Sequence, residues 1–103
     1  IKRSMKKIQI HQNAIAQLCK KYNVEKLYVF GSILTEKFND NSDIDFIVKF
    51  HQLDLSKYAD NYFDLKFSLE EILKREIDLL EEKSIKNPYF LEVVNHQKHL
   101  IYG

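Results

Sequence analysis

Apolar residues recur at Ile8, Ile15, Leu18, Cys19 and Tyr22, a helical spacing with a polar opposite face. The spacing predicts a first helix from Ile8 to Tyr22, stopped at Asn23. Leu27-Tyr28-Val29-Phe30 then forms a short apolar run of strand formers, and Gly31 ends it. A short helical or irregular piece from Ile33 to Phe38 and the turn-rich Asn39-Asp40-Asn41-Ser42 lead into a second strand, Asp43 to Phe50. Ser56 is expected to cap a long helix reaching Lys74, with Tyr58, Tyr62, Leu65, Leu69, Ile72 and Leu73 on its buried stripe. Phe63 and Phe67 form a second apolar set on that helix and are assigned to the core. The competing reading makes them an exposed patch for a partner protein. A third strand runs from Glu76 to Leu80. Pro88 opens a last helix with Phe90, Leu91, Val93 and Val94 facing inward, and Leu100-Ile101-Tyr102 docks as a terminal strand. Helices and strands alternate, so the expected class is α+β or α/β, a small mixed sheet flanked by helices.

A chain of 103 residues without repeat, low-complexity tract or linker reads as one domain over 1–103. Such a chain buries roughly two thirds of its unfolded surface, and no residues are expected to remain for a separate acceptor-binding domain. The chain opens on Ile1 rather than Met, as a trimmed or incomplete N-terminus does. Lys plus Arg number 16 against 15 for Asp plus Glu, so no charge bias draws the chain to nucleic acid or anionic lipid. No apolar run approaches the ~20 residues of a membrane span, and no secretory signal opens the sequence. Cys19 is the single cysteine, so no intrachain disulfide forms and a reducing cytoplasm is the expected compartment. The oligomeric state stays open, an oligomer included.

The chemistry gathers around few residues. Asp43 and Asp45 stand two apart on the second strand, hence on one face, while Ile44 and Phe46 point the other way. Asp78 sits between Ile77 and Leu79 on the third strand. If those strands are neighbours in register, three carboxylates converge, repelling by up to ~4 kcal/mol per pair at about 4 Å and an effective dielectric near 20. A divalent cation removes that cost, and oxygen-only ligands point to Mg²⁺ or Mn²⁺. Gly31-Ser32, beside the cluster, lets a phosphate approach the backbone and offers a hydroxyl and an N–H, helped by the N-terminus of the helix beginning there. A phosphate cradle next to metal carboxylates suits phosphoryl or nucleotidyl transfer, in which two metals neutralise a nucleoside triphosphate and stabilise leaving pyrophosphate.

Gly31-Ser32, ten residues, then Asp43-Ile44-Asp45 resembles the Gly-Ser-x10-Asp-x-Asp signature of the DNA polymerase β-like nucleotidyltransferases. Chance would produce that pattern in about one such chain in a thousand. The size, Asn87-Pro88-Tyr89 and the Leu100-Ile101-Tyr102 ending are similar to the minimal nucleotidyltransferase (MNT) branch, the small prokaryotic partners of HEPN-domain proteins. The resemblance implies the polymerase β-like fold, with Asp43, Asp45 and Asp78 as ligands of two Mg²⁺ ions and Asp78 also able to take the acceptor's proton. It implies that Gly31 and Ser32 contact the triphosphate of ATP. It further implies an antitoxin that moves AMP to a tyrosine hydroxyl of a HEPN toxin. Many relatives follow Gly-Ser with Arg; here Ile33 stands instead, removing one phosphate or base contact.

Other readings are weaker. A calcium loop starting at Asn39 would need Gly at Ile44 and Glu at Phe50; one starting at Asp43 would need an acid at Ile47. Cys19 reads as core packing, His96 and His99 as solvated or complementing a helix end, and His11 and His51 have no metal-ligand spacing between them, so zinc is not expected. Two other functions compete with the enzyme: a module that neutralises its partner by covering it, and a small-molecule nucleotidyltransferase of the aminoglycoside-modifying type.

Overall fold

The computed structural model describes residues 2–103. The expected first helix is two helices, α1 (Lys2–Ile10) and α2 (Gln12–Lys21). His11 leaves helical geometry at φ −101° and ψ 16°. Its N–H still reaches the Ile8 carbonyl at 3.1 Å, and its own carbonyl accepts from the Ile15 N–H at 2.9 Å, so the chain is redirected without losing its hydrogen bonds. The bend lets Met5 and Ile8 of α1 and Ile15 and Cys19 of α2 enter one core. Asn23 stops α2 in the left-handed region at φ 60°, which Asn tolerates because its short side chain is polar.

Four strands follow: β1 (Val24–Phe30), β2 (Ile44–Phe50), β3 (Ile77–Glu81) and β4 (His99–Tyr102), with α3 (Leu55–Leu73) before β3 and α4 (Pro88–Gln97) before β4. The sheet order is β3-β2-β1-β4. β1 pairs antiparallel with β2 and β4, whereas β2 and β3 are parallel, which requires the α3 crossover. The expected mixed sheet with helices is therefore the observed one.

Alternation along the strands divides the sheet into two faces. Ile44, Phe46, Val48, Leu27, Val29, Ile77 and Leu79 point to one side and join the buried cluster with residues of α1, α2 and α3. Burial of each such side chain contributes ~1.5–3 kcal/mol. Asp45, Ile47, Tyr28, Phe30 and Asp78 occupy the opposite phase. α4 lies over that second face. The Phe90 ring meets Phe30 edge-on at 6.3 Å between centroids, and the Lys98 ammonium sits 4.2 Å from the Tyr28 ring centre.

Local signals set the helix ends. Asn87 caps α4, its carboxamide oxygen accepting from the N–H groups of Tyr89 at 2.9 Å and Phe90 at 3.2 Å, with Pro88 in the first turn. Asp54 caps α3 in place of the expected Ser56, whose N–H it accepts at 3.4 Å. Lys74 ends α3 in the left-handed region at φ 56°.

Two apolar expectations are corrected. Phe63 and Phe67 are 48% and 56% exposed. The buried stripe of α3 is Leu65, Leu69 and Leu73, and a step of two residues turns about 200° around a helix, onto its far side. On α4 only Val94 is buried, while Phe90 and Val93 remain exposed.

Candidate active site

Phe30 pairs with Asp45 across β1 and β2, so Gly31 follows directly at the side of that carboxylate. Gly31 adopts φ +79°, and a Cβ built there would overlap the Asp45 Oδ2 and lie 3.2 Å from its Cγ. Two independent constraints therefore demand glycine: the left-handed backbone and the space taken by Asp45. After Gly31 the chain forms a single 3₁₀ turn, Gly31–Leu34. The Ser32 carbonyl closes it by accepting from the Thr35 N–H at 2.9 Å and its hydroxyl at 2.8 Å. One 3₁₀ turn carries little macrodipole, so the helical assistance expected for phosphate binding is small, and the N–H and hydroxyl groups must supply it. Ile33 is fully buried, so this position belongs to the core and supplies no phosphate contact.

The parallel register puts Asp45 opposite Asp78, with Ile44 opposite Ile77. Asp45 is half-buried; Asp43 and Asp78 are exposed. Asp43 precedes the first residue of β2 and so lies outside the strand expected to contain it. Burial, and then the charges of Asp78 and Asp43, push the Asp45 carboxyl up to about 6. Asp45 thus feels both neighbours. Among the described residues, however, no three His, Cys, Asp or Glu side chains are already gathered as a metal cage. The donor set still fits a hard divalent cation, and the missing Cβ of Gly31 leaves the Asp45 oxygen unobstructed.

Asp45 consequently trades stability for its position. With its pKa raised, the stabilising contribution is complete below the ordinary value of 3.8 and is lost as pH rises through about 6. In metal-free protein, Asp45→Asn should raise stability at pH 7 by about 1–2 kcal/mol, a figure reduced for partial solvent screening, and by much less at pH 4. Melting temperatures of both proteins at the two pH values test this; equal melting at pH 7 would refute it.

The remaining candidates are mostly structural. Cys19 is buried, and burial pushes its thiol up to about 12, so it packs and does not react. His99 was expected to be solvated or to complement a helix end. It lines a cleft beside the cradle with Gly31, Leu34, Thr35 and Gln97. Arg75 was given no role by sequence reasoning, yet its side chain is 6% exposed and holds the loop before Asp43. One signal pointed to it: in a chain whose cations are otherwise lysines, only positions 3 and 75 carry Arg.

Comparison with known proteins gives the same outline. The family model described as polymerase beta, nucleotidyltransferase, matches residues 13–103. A Methanocaldococcus jannaschii protein, named as a candidate protein adenylyltransferase, is 35% identical over 82 residues, covering 80% of this chain and 79% of its own length. A solved structure described as a candidate minimal nucleotidyltransferase superposes with a TM-score of 0.76 at 23% identity, covering 92% of this chain and 93% of that one. A chain from the complex of a tri-AMPylated Shewanella oneidensis HEPN toxin with an MNT antitoxin gives a TM-score of 0.63 at 23% identity, covering 93% and 72%. The match through β1, the glycine turn and both aspartate-bearing strands makes this chain a member of the polymerase β nucleotidyltransferase family.

Proposed function

We propose that the chain transfers AMP from ATP to a tyrosine hydroxyl of a HEPN-domain partner and thereby acts as that partner's antitoxin. The observation that carries this reading is the opposition of Asp45 and Asp78 across β2 and β3, with Gly31 against Asp45. The named activity of the Methanocaldococcus relative and the AMPylated toxin in the Shewanella complex support a protein acceptor of the HEPN kind.

In this reading the Gly31 and Ser32 N–H groups and the Ser32 hydroxyl hold phosphate oxygens of ATP. Asp43, Asp45 and Asp78 would hold Mg²⁺ or Mn²⁺, which when bound neutralises the triphosphate and makes the attacking hydroxyl more acidic. The hydroxyl oxygen forms a bond to the α-phosphorus, the bond from that phosphorus to the bridging oxygen breaks, and pyrophosphate leaves. Asp78, exposed beside Asp45, takes the hydroxyl proton. Half-buried Asp45 is suited to the shared inner position between the two exposed carboxylates.

The exposed Phe63–Phe67 pair, stacked at 5.9 Å, favours a second reading in which the chain neutralises its partner by covering it. One experiment separates them: the chain, a HEPN partner, Mg²⁺ and α-labelled ATP, with peptide mapping of the label. Transfer predicts label on a partner tyrosine and survival of labelling at saturating partner when Phe63 and Phe67 are both changed to Ser. Neutralisation without label, abolished by those changes, would establish covering instead.

A further inference from the structure

Asp43 is the one acid of the three that no strand ladder fixes, since β2 begins at Ile44. Its backbone is held on both sides all the same. On the preceding residue, the Ser42 carbonyl accepts from an Arg75 guanidinium nitrogen at 2.7 Å. On the following residue, the Ile44 N–H donates to the Glu76 carbonyl at 3.1 Å. Both anchors come from the short connection between α3 and β3, and that strand carries Asp78.

Arg75 does more than one hydrogen bond requires. The nitrogen that reaches Ser42 also reaches the Asn39 carbonyl at 2.7 Å, and its sibling nitrogen stands 3.7 Å from the Asp40 carboxylate. The guanidinium carbon Cζ lies over the Phe38 ring, 4.3 Å from its centre. The loop is further tied to itself by Ser42 N–H to the Asn39 carbonyl at 3.1 Å and Asn41 N–H to the Asn39 side chain at 2.8 Å. Burying a cation at 6% exposure is costly unless such partners compensate it. The Asp40 carboxylate is fully exposed and offsets little, so the two carbonyls and the ring carry the compensation. One nitrogen of the fork serves both carbonyls while its sibling faces Asp40 and the flat group covers the Phe38 ring; an ammonium, a single point charge, cannot fill all three places at once.

We propose that Arg75 is a positioning residue for the nucleotidyl-transfer site: it couples the loop bearing Asp43 to the strand bearing Asp78, so that the carboxylates can close on one divalent cation. This inference rests on the function proposed above.

The test titrates Mn²⁺ alone, and then Mn²⁺ with ATP and partner, into wild type, Arg75→Lys, Arg75→Met and Ile15→Val. Thermal stabilisation by Mn²⁺ and the rate of AMP transfer are both followed. Arg75→Met should raise the half-saturating Mn²⁺ concentration about ten-fold or more in both readouts, as loss of a group that orients a ligand does, with Arg75→Lys intermediate. Transfer at saturating Mn²⁺ should recover to within a few-fold. Ile15→Val, a core change on α2 that removes no hydrogen bond of the loop, should lower the melting temperature and leave the Mn²⁺ titration unchanged. If Arg75→Met does not fold, the intermediate shift of Arg75→Lys decides. Titrations of the Arg75 variants that superimpose on wild type, or an Ile15→Val shift of equal size, would overturn the proposal. Asp45→Asn serves as the separate control: a Mn²⁺ response surviving in that variant would remove the carboxylate site itself, whatever Arg75 does.

Discussion

Replacing Asp43 and Asp45 together by Asn should lower AMP transfer at least about 10³-fold while leaving the chain folded. Asn is close to Asp in shape but provides one neutral oxygen where the carboxylate had two charged ones, so cation binding fails without a steric cost. Asp45 stands opposite Asp78 and is pressed on by both neighbouring charges, so its loss relieves the apo protein. The double variant should therefore melt no lower than wild type, and above it in the absence of metal. Release of pyrophosphate and transfer of label measure the first effect, and circular dichroism melting the second. Activity within ten-fold of wild type would remove the two aspartates from the reaction. The loss is not expected to equal the product of the single losses, because the carboxylates act on the same charge.

Gly31→Ala should be the most damaging change of a single methyl group. The φ of +79° costs an L-residue about 1–2 kcal/mol on its own. The new Cβ also overlaps the Asp45 Oδ2, and that carboxylate must rotate away. Together these predict a destabilisation of about 2–3 kcal/mol and, since a ligand displaced by roughly 1 Å commonly costs two orders of magnitude, a transfer rate about 100-fold lower. The two causes can be separated. In an Asp45→Ala background the overlap is gone, so Gly31→Ala should there cost only its backbone share, about 1–2 kcal/mol. Equal penalties in both backgrounds, read from denaturant unfolding, would show that Asp45 does not feel the methyl group.

Much of this frame could be read from the residues, and the failures have physical reasons. The mixed sheet, its strand sequence and the shared phase of Asp45 and Asp78 follow from period-two alternation bounded by turn residues. The family belongs to the legible part as well, because the glycine turn and the first two aspartates lie close together in the chain. The bend at His11 was hidden because neither Gly nor Pro marks it and its hydrogen bonds continue through it. The exposure of Phe63 and Phe67 was hidden because an apolar helical residue reports its own chemistry and not what packs against it. Asp54 displaced Ser56 as a cap by only two positions, within the usual blur of helix boundaries. Arg75 was missed for a different reason. Its partners are the backbone carbonyls of Asn39 and Ser42, far away in sequence, and carbonyls have no signature in a list of side chains.

The parallel pairing of β2 with β3 has one more consequence, for the order in which the molecule acquires competence. Asp43 and Asp45 precede α3 and Asp78 follows it, so the acids meet only after that helix has swung across the sheet and closed a long loop. Closure of this kind is paid in chain entropy before any contact returns it, which makes such pairings slow and late. A newly made chain with β1 and β2 already joined as an antiparallel pair would hold Gly31 and Asp45 side by side and still lack its third acid. If the three acids serve as proposed, catalytic competence arrives together with completion of the fold.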